Sequence, residues 1–288
     1  MPNAHGHRII EYFIFGSERA NARVLVYCHG GMFTGKLFGT LPTWVAKANS
    51  LNIKIIAVSQ PGHGYSSIQP GRRIENWPRD DLQPVLAAEG VNGAFAASGA
   101  SLGTAHALAV AQHFGAARVT GLGLQVPFVS LPFSKELGLC DVQPNIPRFT
   151  STSLNTSVSS NLMARFVLWM FKDPKPGDRL RKKPNCSDTT AKFADDLDRS
   201  AHNRGLGVLY TLASDTLRSG VDPREIKGIE NIVVWYAATD TFCPPSHGKW
   251  LGEHFRCSER PGALREDPGG HSTQGGPTEE FLDVLFKE

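Results

Sequence analysis

The sequence predicts an α/β protein, with a mostly parallel central sheet flanked by helices and interrupted by a mainly helical insertion. Three observations carry this. Short runs rich in β-formers alternate with helical stretches over residues 1–126 and again from residue 230 to the end. Those runs are apolar almost throughout rather than at every second position, the pattern of strands covered on both faces. Between residues 127 and 229 the alternation stops and helical patterns take over. The simplest organisation is one core domain, residues 1–126 with 230–288, and an inserted segment, 127–229.

Taken in order, residues 8–15 read as an early strand or hairpin strand, and RVLVYC (23–28) as the first buried strand. A helix is expected over 41–49, a second buried strand over 53–58 (IKIIAV), and a helix over 77–88. A short strand at 93–97 leads into an alanine-rich helix at 102–114, followed by a strand at 119–125. In the insertion, residues 131–155 are rich in Pro, Ser and Thr and read as irregular. Helical patterns follow at 159–171, 190–202 and 206–218. The strand rhythm resumes at 231–237 (NIVVWYA), with a helix at 246–255, a weak strand at 263–266 and a last helix at 278–286.

Composition bounds the function. In 288 residues, 41% hydrophobic and 20% charged residues support a sizeable packed core. A net charge of +3 is too small to argue for nucleic acid or an anionic membrane as partner. The densest basic cluster, Arg179, Arg181, Lys182 and Lys183, lacks interleaved aromatics and reads as a solvated loop. Cys28, Cys140, Cys186, Cys243 and Cys257 are scattered and odd in number, which fits neither a disulfide framework nor a zinc site. The first residues lack a basic region followed by an unbroken apolar one, and no apolar run approaches the roughly 20 residues that span a bilayer. The expectation is a cytoplasmic protein acting on a small molecule, with its oligomeric state left open.

Gly99-Ala100-Ser101-Leu102-Gly103 stands directly between an expected strand and an expected helix. A sharp turn there tolerates only small neighbours, presents the serine hydroxyl, and places it at a helix N-terminus that favours a developing anion. An ordinary glycine-rich turn with a capping serine is the plain alternative.

With these residues the chain resembles the α/β-hydrolase superfamily. His29-Gly30-Gly31 after the first buried strand resembles that family's HG loop, and Gln60-Pro61-Gly62-His63-Gly64-Tyr65-Ser66 resembles the P-G-x-G-x-S loop after the next strand. The resemblance implies an α/β-hydrolase fold with a helical cap, and a triad in the order serine, acid, histidine. Gly269-Gly270-His271-Ser272 resembles the family's histidine loop, so His271 is the expected base. The other nine histidines are its competitors, among them His5, His7, His63, His106, His113, His247 and His254. Asp240, at the end of NIVVWYA and followed by a proline at Pro244, resembles the acid, with Glu266 and Asp267 as rivals. The oxyanion donors implied are the backbone N–H of Leu102 and that of Gly31 or Met32.

In the insertion, Leu162, Met163, Phe166, Val167 and Met170 recur at helical spacing, with Trp169 beside them. They either pack the insertion onto the core or line an apolar pocket above Ser101. On the second reading Phe166, Trp169 and Met170, with His29, contact the apolar part of a substrate. The implied activity is hydrolysis of a carboxylic ester or lactone through an acyl-enzyme, with no metal or organic cofactor. A serine-dependent C–C hydrolase or lyase and a slow-turnover ligand receptor are the alternatives.

Overall fold

A computed structural model of the chain describes residues 8–139, 175–184, 186–203, 206–211, 219–271 and 279–287. Seven strands form one sheet in the order β1-β3-β2-β4-β5-β6-β7. They are β1 (Tyr12–Gly16), β2 (Arg23–Cys28), β3 (Ile53–Val58), β4 (Phe95–Ala100), β5 (Val119–Gln125), β6 (Asn231–Ala237) and β7 (Leu264–Asp267). The edge strand β1 runs antiparallel to β3 and every other pairing is parallel.

Residue alternation along each strand builds two cores. Leu25, Tyr27, Ile53, Ile55, Ala57, Val233 and Trp235 face helices α1 (Pro42–Ser50) and α9 (Glu279–Leu285), where Trp44, Phe281 and Leu282 are buried. Val26, Cys28, Ile56, Val58, Ala97, Leu122, Leu124 and Val234 face the other way, towards the alanine-rich α3 (Gly103–Phe114). Both faces of the inner strands β2 to β6 are therefore largely withdrawn from water, the physical reason those runs are mostly apolar. At about 25 cal/mol per Å² of apolar surface, these two layers are the main stabilising term of the fold.

Several elements differ from expectation in their ends. The fourth strand extends to Ala100 and delivers the chain directly to Ser101. The helix expected over 77–88 divides into a wide π-turn, Pro78–Leu82, and α2 (Gln83–Ala88). Pro84 has no N–H to donate, and Gln83 N–H reaches back to Pro78 O, so the chain widens a turn there instead of keeping α-helical register. Within the segment expected to be irregular, Leu131–Glu136 forms a short helix, α4, with Pro132 in its first turn, where a missing N–H costs nothing.

The other described helices are α5 (Asp178–Arg181), α6 (Asp188–Ser200), α7 (Leu206–Thr211) and α8 (Pro245–His254). Helices α5 to α7 belong to the segment between β5 and β6. Asn203 Nδ2 donates to Gly62 O and Gly64 O, each at 3.1 Å, and Asp196 on α6 binds Thr34. The inserted chain thus lies on the loops that follow β2 and β3, at the carboxyl ends of the parallel strands, where open α/β sheets place their sites. Among the described residues no helix is long and apolar enough to cross a membrane.

Candidate active site

Ser101 occupies the tight turn between β4 and α3 with φ +55°, a left-handed conformation that costs a non-glycine residue about 1–3 kcal/mol. The turn is held by Ser101 N–H to Gln125 O (2.9 Å), and by the N–H (2.9 Å) and hydroxyl (2.6 Å) of Thr104 to Ser101 O. Its flanking glycines are obligatory. A Cβ on Gly99 would lie 2.2 Å from Gly103 O, and one on Gly103 would lie 2.2 Å from Cys28 O. The strand–turn–helix context expected for G-x-S-x-G is thus present, with a specific steric reason for both glycines.

The acid and histidine loops are zipped together beside this turn. Ala238 N–H donates to Asp267 O at 2.7 Å and Thr239 N–H to Gly269 O at 3.3 Å. Asp240 is buried, and its Oδ1 accepts the N–H groups of Phe242 (2.7 Å) and Cys243 (2.9 Å). Its Oδ2 lies 2.7 Å from His271 Nδ1. Two backbone N–H groups therefore aim one carboxylate at one edge of the imidazole, whose other nitrogen is directed away from Asp240. The rival acids are engaged elsewhere, Asp267 with Arg265 Nε at 2.8 Å and Glu266 with the Tyr236 hydroxyl at 2.7 Å.

Cys243 joins the two halves. Its Sγ is 3.7 Å from Ser101 Oγ, and ligand atoms of Cys243, Asp240 and His271 lie within 4.8 Å of one another. Such a trio could close on a soft divalent cation. Here Asp240 is already committed to two backbone N–H groups and the histidine. Burial, then the nearby Asp240 charge, pushes the Cys243 thiol well above its ordinary value, against the bond to Ser101. Cys243 therefore sits beside the serine as a protonated thiol. Sequence reasoning passed it over because a lone cysteine after a strand has no distinguishing spacing.

The loop after β2 approaches the same turn. A Cβ on Gly30 would stand 3.6 Å from Ser101 Cβ, and one on Gly31 would stand 2.5 Å from Leu102 Cδ1. Close backbone approach is what an oxyanion loop requires. Met32 is exposed beside them. His29 is fully buried and both ring nitrogens serve the backbone: Nδ1 is 2.8 Å from Gly30 O, and Nε2 accepts Gln60 N–H at 2.9 Å. Its placement is that of a strut inside the loop. Burial pushes it down to about 4, opposed by the bond to Gly30 and aided by the Arg72 charge, so it is neutral at physiological pH.

Beneath lies a polar layer that the sequence did not reveal, because its members come from distant segments. The Thr211 hydroxyl accepts from Arg72 Nη2 (2.8 Å) and stands 3.0 Å from His63 Nε2 and 3.2 Å from Gln60 Oε1. His63 Nδ1 is 2.9 Å from Phe33 O. Burial, with the neighbouring His29 and Arg72, holds His63 well below its ordinary value. Phe166, Trp169 and Met170, expected in the substrate pocket, lie outside the described residues.

The comparisons with known proteins agree with this architecture. No curated protein sequence matches the chain. Among solved structures, the enol-lactonase from Burkholderia xenovorans LB400 is similar at TM-score 0.62 and 16% identity, over 97% of each chain. An esterase from Rhodococcus sp. ECU1013 is similar at TM-score 0.60 and 20% identity, over 96% of this chain and 93% of that one. A structure from a study of carboxylesterases of Nitrososphaera gargenis is similar at TM-score 0.63 and 14% identity, over 99% and 95%. At such identities the likeness is one of fold. The family model described as "Alpha/beta hydrolase family" matches residues 25–284, and with that span matched, the chain belongs to the α/β-hydrolase family.

Proposed function

We propose that the protein is a serine hydrolase that cleaves a carboxylic ester or lactone through an acyl-enzyme. The observation that carries the reading is the 2.7 Å contact between His271 Nδ1 and Asp240 Oδ2, built beside a serine held in a left-handed turn between strand and helix. On this reading His271 Nε2 takes the Ser101 proton as Oγ attacks the substrate carbonyl. The tetrahedral oxyanion is received by the N–H of Leu102 and of Gly31 or Met32, and the imidazolium protonates the leaving alcohol. Water, deprotonated by the same imidazole, then releases the acid and restores Ser101. Asp240 keeps the histidine in the tautomer with hydrogen on Nδ1 and stabilises its cation.

The inserted segment is proposed as a cap. Its placement on the loops after β2 and β3 supports this, and a cap would exclude water from the reacting bond. Phe242, exposed and with its ring 5.3 Å from His271, offers apolar surface beside the histidine. That favours a small-molecule substrate with an apolar part. The similar folds of an enol-lactonase and an esterase are consistent with this class without choosing within it.

Fluorophosphonate labelling followed by peptide mapping tests the nucleophile, and a panel of esters, thioesters and lactones tests the class. Label on Ser101 with turnover of one of these classes is expected. Absence of label overturns the serine mechanism. Label without turnover of any panel member would move the assignment to C–C cleavage or to a slow-turnover receptor.

A further inference from the structure

The loop between β2 and the 3-10 turn Gly35–Thr40 is held at both ends. At its start, His29 ties Gly30 O to Gln60 N–H. At its end, Thr34 donates both its N–H (3.0 Å) and its hydroxyl to the Asp196 carboxylate. The first tie belongs to the core. The second comes from α6, in the segment inserted between β5 and β6.

Asp196 is not an isolated contact. Phe193, Asp196 and Arg199 recur every three residues on α6 and share one face. The Phe193 ring lies 4.5 Å from Phe33. Arg199 donates to Glu11 Oε2 through Nε (2.9 Å) and Nη2 (2.5 Å). Glu11 Oε1 accepts from the Ser59 hydroxyl (2.8 Å), which in turn accepts Gly35 N–H (3.0 Å). Two consecutive backbone donors, Thr34 and Gly35, are thereby clasped through groups that α6 supplies or steadies. Gly31 and Met32 hang between His29 and this clasp.

Asp196 is fully buried. Burial pushes its carboxyl up to about 6 despite the two Thr34 bonds, with Glu11 adding and Lys36 opposing. At neutral pH folding disfavours its ionised form relative to the protonated one.

We propose that Asp196 is a positioning residue for the oxyanion loop, through which the inserted helix fixes the placing of the Gly31 and Met32 N–H groups. Donors to a developing oxyanion act only when set before the reaction, and their displacement is felt in the transition state more than in substrate binding. The inserted segment thus takes part in building the catalytic site as well as covering it. The proposal rests on the serine-hydrolase reading.

The test compares Asp196→Ala, Asp196→Ser, Asp196→Asn and the unmodified protein with p-nitrophenyl esters, each enzyme titrated for active sites with a fluorophosphonate. Asp196→Ala and Asp196→Ser, which lose the acceptor of Thr34 N–H, should lower kcat about 10- to 100-fold. KM should stay within about threefold, and the phosphonylation rate should fall in parallel with kcat, since the phosphonyl oxygen uses the same donors. Asp196→Asn keeps one acceptor and should fall between them and the unmodified protein. Ala and Ser variants with kcat and phosphonylation unchanged per active site, whatever their melting temperature, overturn the proposal. So does an Asn variant no better than Ala. If Ala does not fold, Ser and Asn decide the order. Failure of the underlying reading is separate: the unmodified protein would then take no label at Ser101.

Discussion

Asp196→Asn makes a measurable statement about pH and stability. The carboxyl moves from its ordinary 3.8 to about 6 on folding, because burial outweighs the Thr34 bonds. The difference corresponds to about 3 kcal/mol between the protonated and ionised folded forms. An acid whose folded-state value is raised is more stably folded when protonated. At pH 8 the ionised carboxylate therefore costs about 3 kcal/mol relative to a neutral group. The cost shrinks as pH falls through about 6, stands at about 0.5 kcal/mol at pH 4, and is lost below the ordinary value. The groups facing it are Glu11, Lys36 and Tyr27, with Arg199 on its own helix paired to Glu11. Glu11 and Lys36 act on the carboxylate charge, and their effect is already contained in the value of about 6. Chemical denaturation at pH 8, 6 and 4 should show the Asn variant more stable at pH 8 by up to about 3 kcal/mol, or about 6 °C in Tm for a chain of this size. The gap should narrow to about 0.5 kcal/mol by pH 4. An Asn variant less stable than the parent at pH 8, or a difference that does not change with pH, would refute the reasoning.

Other perturbations address the site directly. Ser101→Ala should remove most of the catalysed rate, up to about 10⁶-fold in kcat, with an unchanged circular dichroism spectrum; near-normal turnover would remove the triad. Asp240→Asn should lower kcat by about 10⁴ by favouring the wrong tautomer of His271, whereas Asp267→Asn, whose carboxylate bonds Arg265, should leave kcat within a few fold; the reverse result would reassign the acid. Gly103→Ala places a methyl 2.2 Å from Cys28 O and should cost about 1–3 kcal/mol in stability by forcing backbone movement, checked by urea unfolding. Cys243, buried with its thiol pushed up, should resist iodoacetamide at pH 7.5 in the folded protein and react once unfolded, and mass mapping of equal labelling in both states would contradict the placement.

The sheet and the G-x-S-x-G motif were legible from the residues alone. Strand runs such as RVLVYC and NIVVWYA are covered on both faces, so their apolarity is continuous and visible without coordinates. G-x-S-x-G was legible because the backbone clashes that demand Gly99 and Gly103 are local to one turn and its neighbouring strand. Asp240 and His271 could be named as candidates, since each ends a recognisable local pattern. That they meet at 2.7 Å, while Asp267 turns to Arg265, was decided by how the loops after β6 and β7 pair. Cys243 against Ser101, Thr211 among Arg72, His63 and Gln60, and Asp196 on Thr34 were invisible for one reason. Each joins residues 139 to 162 positions apart, and a single side chain carries no periodicity that announces a distant partner. Hydrophobic burial repeats along a segment and so writes itself into sequence; a buried polar contact is made once, by the fold that brings its two ends together.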